Sequence, residues 1–182
     1  LGKNYNAEVG FVPNAAVYPG TFGARTEIDY KIYPKAGASV LVSPGFTFDT
    51  NYLPDGTLTD RTLALRQSIR FRNTAMFMAS LRNIFQQLPS DFDVLDPKGD
   101  SILLKGEKYR WNEFEANYTS DSRKLFTYIL KASGGQFYNG DRLGLSGTLS
   151  YRIQPFGSIS VSGDYNHINL PSAYGSATFL LL

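Results

Sequence analysis

Residues 22 to 32 read Phe-Gly-Ala-Arg-Thr-Glu-Ile-Asp-Tyr-Lys-Ile, and this two-residue alternation constrains the fold more than any other stretch of the chain. Successive side chains of a β-strand point to opposite faces. As a strand, the run places Phe22, Ala24, Thr26, Ile28, Tyr30 and Ile32 on one side and Gly23, Arg25, Glu27, Asp29 and Lys31 on the other. One face is apolar and the other charged. Water-soluble sandwiches also alternate, but their strands are usually only about 5–6 residues long. This run is about 11 residues, matching the ~9–11 that a tilted strand needs to cross a bilayer. The pattern predicts a transmembrane β-barrel strand, with its apolar face on lipid and its charged face on the lumen.

The same phase recurs along the chain. A second run sets Val40, Val42, Pro44, Phe46 and Phe48 against Ser43, Gly45, Thr47 and Asp49. Pro44 lacks a ladder donor, so an edge or a bulge is expected there. A third sets Leu63, Leu65, Ile69 and Phe71 against Thr62, Ala64, Arg66, Ser68, Arg70 and Arg72, with Gln67 interrupting the apolar side. A fourth sets Ala75, Phe77, Ala79, Leu81 and Phe85 against Ser80 and Arg82. After a segment rich in Pro, Asp and Gly over about 86–108, a fifth sets Phe114, Ala116 and Tyr118 against Glu113, Glu115 and Asn117. The sixth sets Phe126, Tyr128, Leu130 and Ala132 against Thr127, Lys131 and Ser133. The seventh sets Leu143, Leu145, Leu149 and Tyr151 against Ser146, Thr148, Ser150 and Arg152. The eighth sets Ile159, Val161 and Tyr165 against Ser158, Ser160, Ser162, Asp164 and Asn166.

Composition agrees. The chain has 12 Tyr, 13 Phe and 17 Gly against one Trp and one His, which fits an all-β protein. No apolar run approaches the ~18 residues of a transmembrane helix. A closed barrel is the other structure that satisfies every backbone group in lipid. The chain has no cysteine, so disulfides and thiolate metal sites are excluded. A net charge of +2 leaves no electrostatic footprint for nucleic acid. Connections are expected to be short near Pro34, Asn73, Ser120 and Gln154 and longer near Pro54, Pro97, Gly135 and Pro171, the rhythm of outer-membrane barrels. Aromatic residues are expected to form two girdles. Tyr33, Phe71, Tyr118, Phe126, Tyr151 and Phe156 fall at the short-turn side; Phe48, Tyr52, Phe85, Tyr109, Trp111, Phe137 and Tyr138 fall toward the other. The expected organisation is an irregular lead-in over 1–19, then an antiparallel membrane-spanning wall of about eight strands over 20–182. Residues 177–182 read as a strand just begun, so the wall is expected to belong to a larger barrel.

The lumen-lining row is expected to be Arg25, Lys31, Arg66, Arg70, Arg72, Arg82, Lys131 and Arg152, facing Glu27, Asp29, Glu113, Glu115 and Asp164. In a closed eight-strand interior these ions would need nearly complete pairing, whereas a wider barrel hydrates them. Glu113 and Glu115 have the residue type for acid–base work, but the arginines of their own face make them ion-pair partners. His167 lacks a nucleophile elbow, because Gly144-Leu145-Ser146-Gly147 is one residue short of G-x-S-x-G and lies within a strand. It reads as an interfacial polar residue. Asp91, Asp93, Asp96 and Asp100 offer hard oxygen ligands of the kind that hold Ca²⁺. Their spacing does not match an EF-hand, and a solvated acidic loop is the simpler reading. No Gly-rich phosphate loop is present, and no cofactor is called for.

The stretch Gly2-Lys3-Asn4-Tyr5-Asn6-Ala7-Glu8-Val9-Gly10-Phe11-Val12-Pro13 resembles a segment of a family of large Bacteroidota outer-membrane β-barrel proteins. In that family the barrel domain, of unknown function, usually follows a carbohydrate-binding family-9-like domain. The Ile153-Gln154-Pro155 turn, the Gly135-Gln136-Phe137-Tyr138-Asn139-Gly140 stretch and the Asn169-Leu170-Pro171 exit are similar too. Where the family tends to place a basic residue after Gly-Phe-Val-Pro, this chain has Asn14. The resemblance implies a longer parent and carries no catalytic residues across.

The resulting expectation is an outer-membrane β-barrel of a Gram-negative bacterium. It would act as a membrane anchor or conduit, in surface glycan handling or uptake. Its partners would be the lipid bilayer and other outer-membrane or surface glycan-binding proteins, with no nucleic acid. Two alternatives stay open on the sequence. One is an outer-membrane enzyme with its site in extracellular loops. The other is a soluble ligand-binding β-barrel with the apolar face turned inward.

Overall fold

The computed structural model describes residues 20–93, 102–171 and 175–182, and these contain strands and no helix. The strands are β1 (Phe22–Asp29), β2 (Ser39–Tyr52), β3 (Leu58–Phe71), β4 (Met76–Gln87), β5 (Phe92–Asp93), β6 (Ile102–Leu103), β7 (Lys108–Thr119), β8 (Phe126–Phe137), β9 (Gly140–Ile153), β10 (Gly157–Asn169) and β11 (Ser176–Leu181). Nine of them form one antiparallel sheet in the order β1-β2-β3-β4-β7-β8-β9-β10-β11, while β5 and β6 pair only with each other. The lead-in expected over 1–19 lies outside the described residues. The sheet is open: β1 and β11 occupy its edges and do not pair with one another. The run at 177–182, expected to be a strand just begun, supplies the ninth strand, β11, beside the eight patterned ones. From β2 to β10 the strands of this sheet span 12–14 residues. At about 3.3 Å per residue that is roughly 40–46 Å of chain, enough to cross a hydrocarbon core of ~30 Å even when tilted.

Residues directly opposite one another in a ladder share a face. One rung therefore carries Ile28, Phe46, Leu65, Leu81, Phe114, Gly134 and Leu143 across seven strands. The adjacent rung, one residue along, lies on the other face and carries Asp29, Gly45, Arg66, Ser80, Glu115, Ser133, Gly144 and Asn166. The alternation seen in each run is thus kept in phase from strand to strand, and the sheet has one apolar and one polar face.

Two local expectations are corrected. Pro44 carries neither a bulge nor an edge: β2 lies between β1 and β3, and register is continuous through the Pro44–Gln67 pair. The carbonyl of Pro44 accepts from Tyr30 N at 2.9 Å, and in an antiparallel ladder a residue's N and O point to the same neighbour. The missing donor therefore faces the β1 side, at the point where the regular β1 ladder ends at Asp29. Gln67, the break in the apolar side, sits opposite Pro44 and donates its amide to the Ser68 carbonyl at 3.1 Å. Second, residues 134–141 are not a loop. Strands β8 and β9 are joined through Tyr138 and Asn139 alone, with Tyr138 at a φ of 53°. Gly134 and Gly135 lie inside β8, and a Cβ on Gly135 would stand 2.5 Å from the Asn112 carbonyl oxygen. Close approach of β7 and a φ of 138° account for Gly135, whereas a Cβ on Gly134 would come no nearer than 3.6 Å to any neighbour. The expected alternation of long and short connections fails here, and it fails at the first pair too, where nine residues join β1 to β2 near Pro34 but only five join β2 to β3 near Pro54.

The turns at one end are tied together. Arg72 Nε donates to the Gly37 carbonyl at 2.8 Å, joining the β1–β2 and β3–β4 connections. The Thr74 hydroxyl donates to Asp121 at 2.9 Å, joining the β3–β4 and β7–β8 turns. Arg152 donates to the Ser122 carbonyl and to that of Lys124 at 2.7 Å, fixing β9 to the β7–β8 turn. At the opposite end sits the small apolar core, where Leu88, Leu103, Trp111 and Leu170 are buried. Leu88 and residues 106–107 close the base of the β5–β6 excursion by mutual backbone hydrogen bonds.

Candidate functional site: the charged face of the sheet

The charged face is organised by two arginines. Arg66 on β3 lies 2.6 Å from Glu27 and 3.1 Å from Asp29. Arg82 on β4 bonds Glu113 and lies 2.8 Å from Glu115. In each case two carboxylates sit two residues apart on one strand and so share a face, and one guanidinium spans both. The planar fork with several donors suits that task better than an ammonium would. Arg25 is looser, at 3.5 Å from Glu27 and 3.9 Å from Asp49. Exposure separates the pairs: the Glu113 side chain is only 11% exposed and Arg25 is 65% exposed.

The other expected residues divide by position. Lys131 and Asp164 flank Ser146 in one rung, and Arg70 stands between Leu41 and Met76. Lys31 lies in the connection after β1. Arg72 and Arg152 stand at the turn end, with their guanidinium groups on turn carbonyls. Over β8 to β10 the polar face changes character from ion pairs to hydroxyls. Ser150 and Ser160 are 2.8 Å apart, and Thr148 and Ser162 are 3.1 Å apart. Two clefts open on this face. One, of about 210 Å³, lies between Asp29, Arg66, Ser80 and Glu115. The other, of about 230 Å³, lies between Glu115, Lys131, Ser133 and Asp164.

Three polar-face residues stand outside the expected lumen-lining row: Asp49, already patterned on that side of the second run, Asp60 and Arg142. Asp49 faces Arg25, Asp60 shares a rung with Gln86, and the Arg142 guanidinium lies 5.2 Å over the Phe137 ring. Asp60 and Arg142 sit near strand ends, just outside the patterned runs. The phase of their neighbours was the signal that places them. The loop-end aromatic girdle is corrected in the same way. Trp111 alternates with Glu113 and Glu115, so it points to the polar face, where it is 5% exposed and packs on Phe137 and Tyr138. Tyr138 donates to Gln86 at 3.0 Å, and burial raises its hydroxyl pKa above the ordinary value. At the turn end Tyr118, Phe126 and Tyr128 do form an aromatic group on the apolar face.

Ser146 and His167 lie on opposite faces of the sheet, since Ser146 pairs with Asp164 and His167 with Leu143. The His167 ring instead shares a hydrogen bond of 2.8 Å with Thr178. Of the four clustered aspartates, Asp96 and Asp100 lie outside the described residues. Asp93 is in β5, and Asp91 accepts from Lys105 N at 2.7 Å. Among the described residues no group of three or more metal-ligating side chains is assembled. Compared with known proteins, the chain matches no protein-family model, no curated protein and no solved structure at a significant level.

Proposed function

We propose that this chain is part of the wall of an outer-membrane β-barrel, serving as a membrane anchor or conduit. One observation carries the reading: large exposed apolar side chains line one face of the sheet, while the other face carries ion pairs from β1 to β7 and hydroxyls over β8 to β10. Leu65 is 61% exposed, and Phe46, Leu81, Phe114, Leu143, Leu145, Leu149, Ile159 and Val161 are exposed with it. In water this row would be an apolar patch far beyond the few hundred Å² that soluble monomers show. Against hydrocarbon it is the ordinary outward face of a barrel strand. The open edges at β1 and β11 fit a wall completed by further strands, as a barrel wide enough to hydrate the charged face requires. The resemblance of the Gly2–Pro13 motif to a Bacteroidota barrel domain supports surface glycan handling as the setting. Among the described residues the enzyme reading finds no constellation, with Ser146 and His167 on opposite faces and both carboxylate pairs held by arginine. Extraction and sizing test the proposal. The folded chain should require detergent or lipid to remain dispersed. A monodisperse monomer in detergent-free buffer would overturn it and favour the soluble barrel.

A further inference from the structure

The apolar face changes chemistry at the loop end. Beyond the Phe46–Leu65–Leu81–Phe114 rung it carries Leu63, Asn83 and Asn112, and beyond those Arg61, Phe85 and Arg110. Lys108 follows on the same phase of β7. A lateral hydrogen-bond belt fixes this rim. Arg61 donates to Asn83 at 3.4 Å, Asn83 to Asn112 at 2.8 Å, and Asn112 N to the Gln136 side chain at 3.2 Å. None of the ion pairs among the described residues includes Arg61, Lys108 or Arg110. Lys108 and Arg110 are exposed, and Arg61 Nε is buried with no hydrogen-bond partner among the described residues. Arg61 and Arg110 flank Phe85, so they stand about 10 Å apart across two strand spacings.

We propose that Arg61, Lys108 and Arg110 form a docking surface for the phosphate-bearing headgroup of an anionic membrane lipid, whose acyl chains lie on the apolar face beneath. The inference rests on the membrane reading above. Charge complementarity and continuity with the apolar face single out this partner. Three cations without carboxylates adjoin a surface that would already be in contact with acyl chains, and arginine binds phosphate bidentately. Lys108 and Arg110 are exposed on this rim, which suits a headgroup held in place by its own tails. A cation near an anionic membrane surface contributes about 5-fold in binding.

The test is native mass spectrometry of the chain released from vesicles of phosphatidylcholine mixed with phosphatidylglycerol. The wild-type chain should retain phosphatidylglycerol over phosphatidylcholine. Lys108→Gln with Arg110→Gln should reduce that preference about 25-fold, at about 5-fold per cation, with each single substitution giving about half the effect on a logarithmic scale. Lys131→Gln, on the opposite face, should leave it unchanged. Trp111 fluorescence reports whether each variant is folded. A wild-type chain that enters the bilayer yet retains both lipids equally overturns this inference and leaves the membrane reading standing. A chain that enters vesicles of neither composition overturns the membrane reading itself. Complete displacement of phosphatidylglycerol by inorganic phosphate shows a free-anion site and overturns the lipid assignment, as does a preference lost in Lys131→Gln but kept in the double variant.

Discussion

Leu65→Arg is the substitution whose outcome depends most sharply on what surrounds the apolar face. Leu65 lies near the middle of β3, six residues from Phe71 and seven from Leu58. At about 3.3 Å per residue, each strand end is roughly 20 Å away along the chain, and about 15 Å away along the membrane normal at a tilt of ~40°. An arginine cannot snorkel that far. Its rung neighbours Phe46 and Leu81 are exposed apolar side chains that offer no hydrogen-bond acceptor. In a bilayer the cost should be about 2–4 kcal/mol. In water, a side chain already 61% exposed could take the charge within about 0.5 kcal/mol. The two environments thus differ by at least a factor of about 10 in the folding constant at 1.4 kcal/mol per decade. Reversible urea titration in phosphatidylcholine vesicles, followed by Trp111 fluorescence, measures the difference. Ser68→Arg, which shares its rung with Ser43 and Met78 on the polar face, is the paired control and should cost well under half as much. Equal losses at the two sites would refute the assignment of faces.

Further substitutions probe the ion pairs, the turns and the glycines. Arg82→Met strands Glu113, whose side chain is 11% exposed, and should destabilise by about 2–3 kcal/mol, whereas Arg25→Gln at a 65% exposed site should change the unfolding free energy by less than about 0.5 kcal/mol in the same urea titration. Asp121 is held well below the ordinary 3.8 by the Arg123 guanidinium, the Arg123 backbone N–H and the Thr74 hydroxyl. A depressed carboxylate stabilises above its unfolded-state pKa and loses that contribution as the pH falls toward the folded value. Stability should therefore decline below about pH 4 in the native chain, and less steeply in Asp121→Asn, in acid-titration curves compared side by side. Gly140→Ala would put a Cβ 2.1 Å from the Asn169 carbonyl oxygen and should cost about 1–3 kcal/mol, while Gly157→Ala, with nothing within 4 Å, should be neutral in the same assay.

The face of each strand was legible because hydrophobic period and ladder register encode the same alternation. Glu113 and Glu115 could be assigned to Arg82's side from residue types alone, since like phases face each other across every rung. The strand ends were not legible, because glycine has two uses. Gly134 and Gly135 look like turn residues, yet both are strand positions, and Gly135 gives room to the β7 backbone at Asn112. Pro44 looks like a break, yet its missing donor falls where the ladder to β1 runs out. The loop-end aromatic girdle follows residue type alone, and strand phase takes Trp111 out of it. Trp111 belongs with Glu113, not with Phe114. The cationic rim at Arg61 and Arg110 was invisible in each strand singly, because it exists only when β3 and β7 are brought to either side of β4.

Accessibility measured residue by residue along β9 tests the central claim most directly. The native chain has no cysteine, so single cysteines at Arg142, Leu143, Leu145, Ser146, Thr148 and Leu149 can each carry one spin label. In vesicles, collision rates with dissolved oxygen and with a water-soluble nickel chelate report lipid and water contact separately. Labels at Leu143, Leu145 and Leu149 should favour oxygen, and those at Arg142, Ser146 and Thr148 should favour nickel, in strict alternation. Nickel access at all six positions would contradict the assignment of the apolar face to lipid.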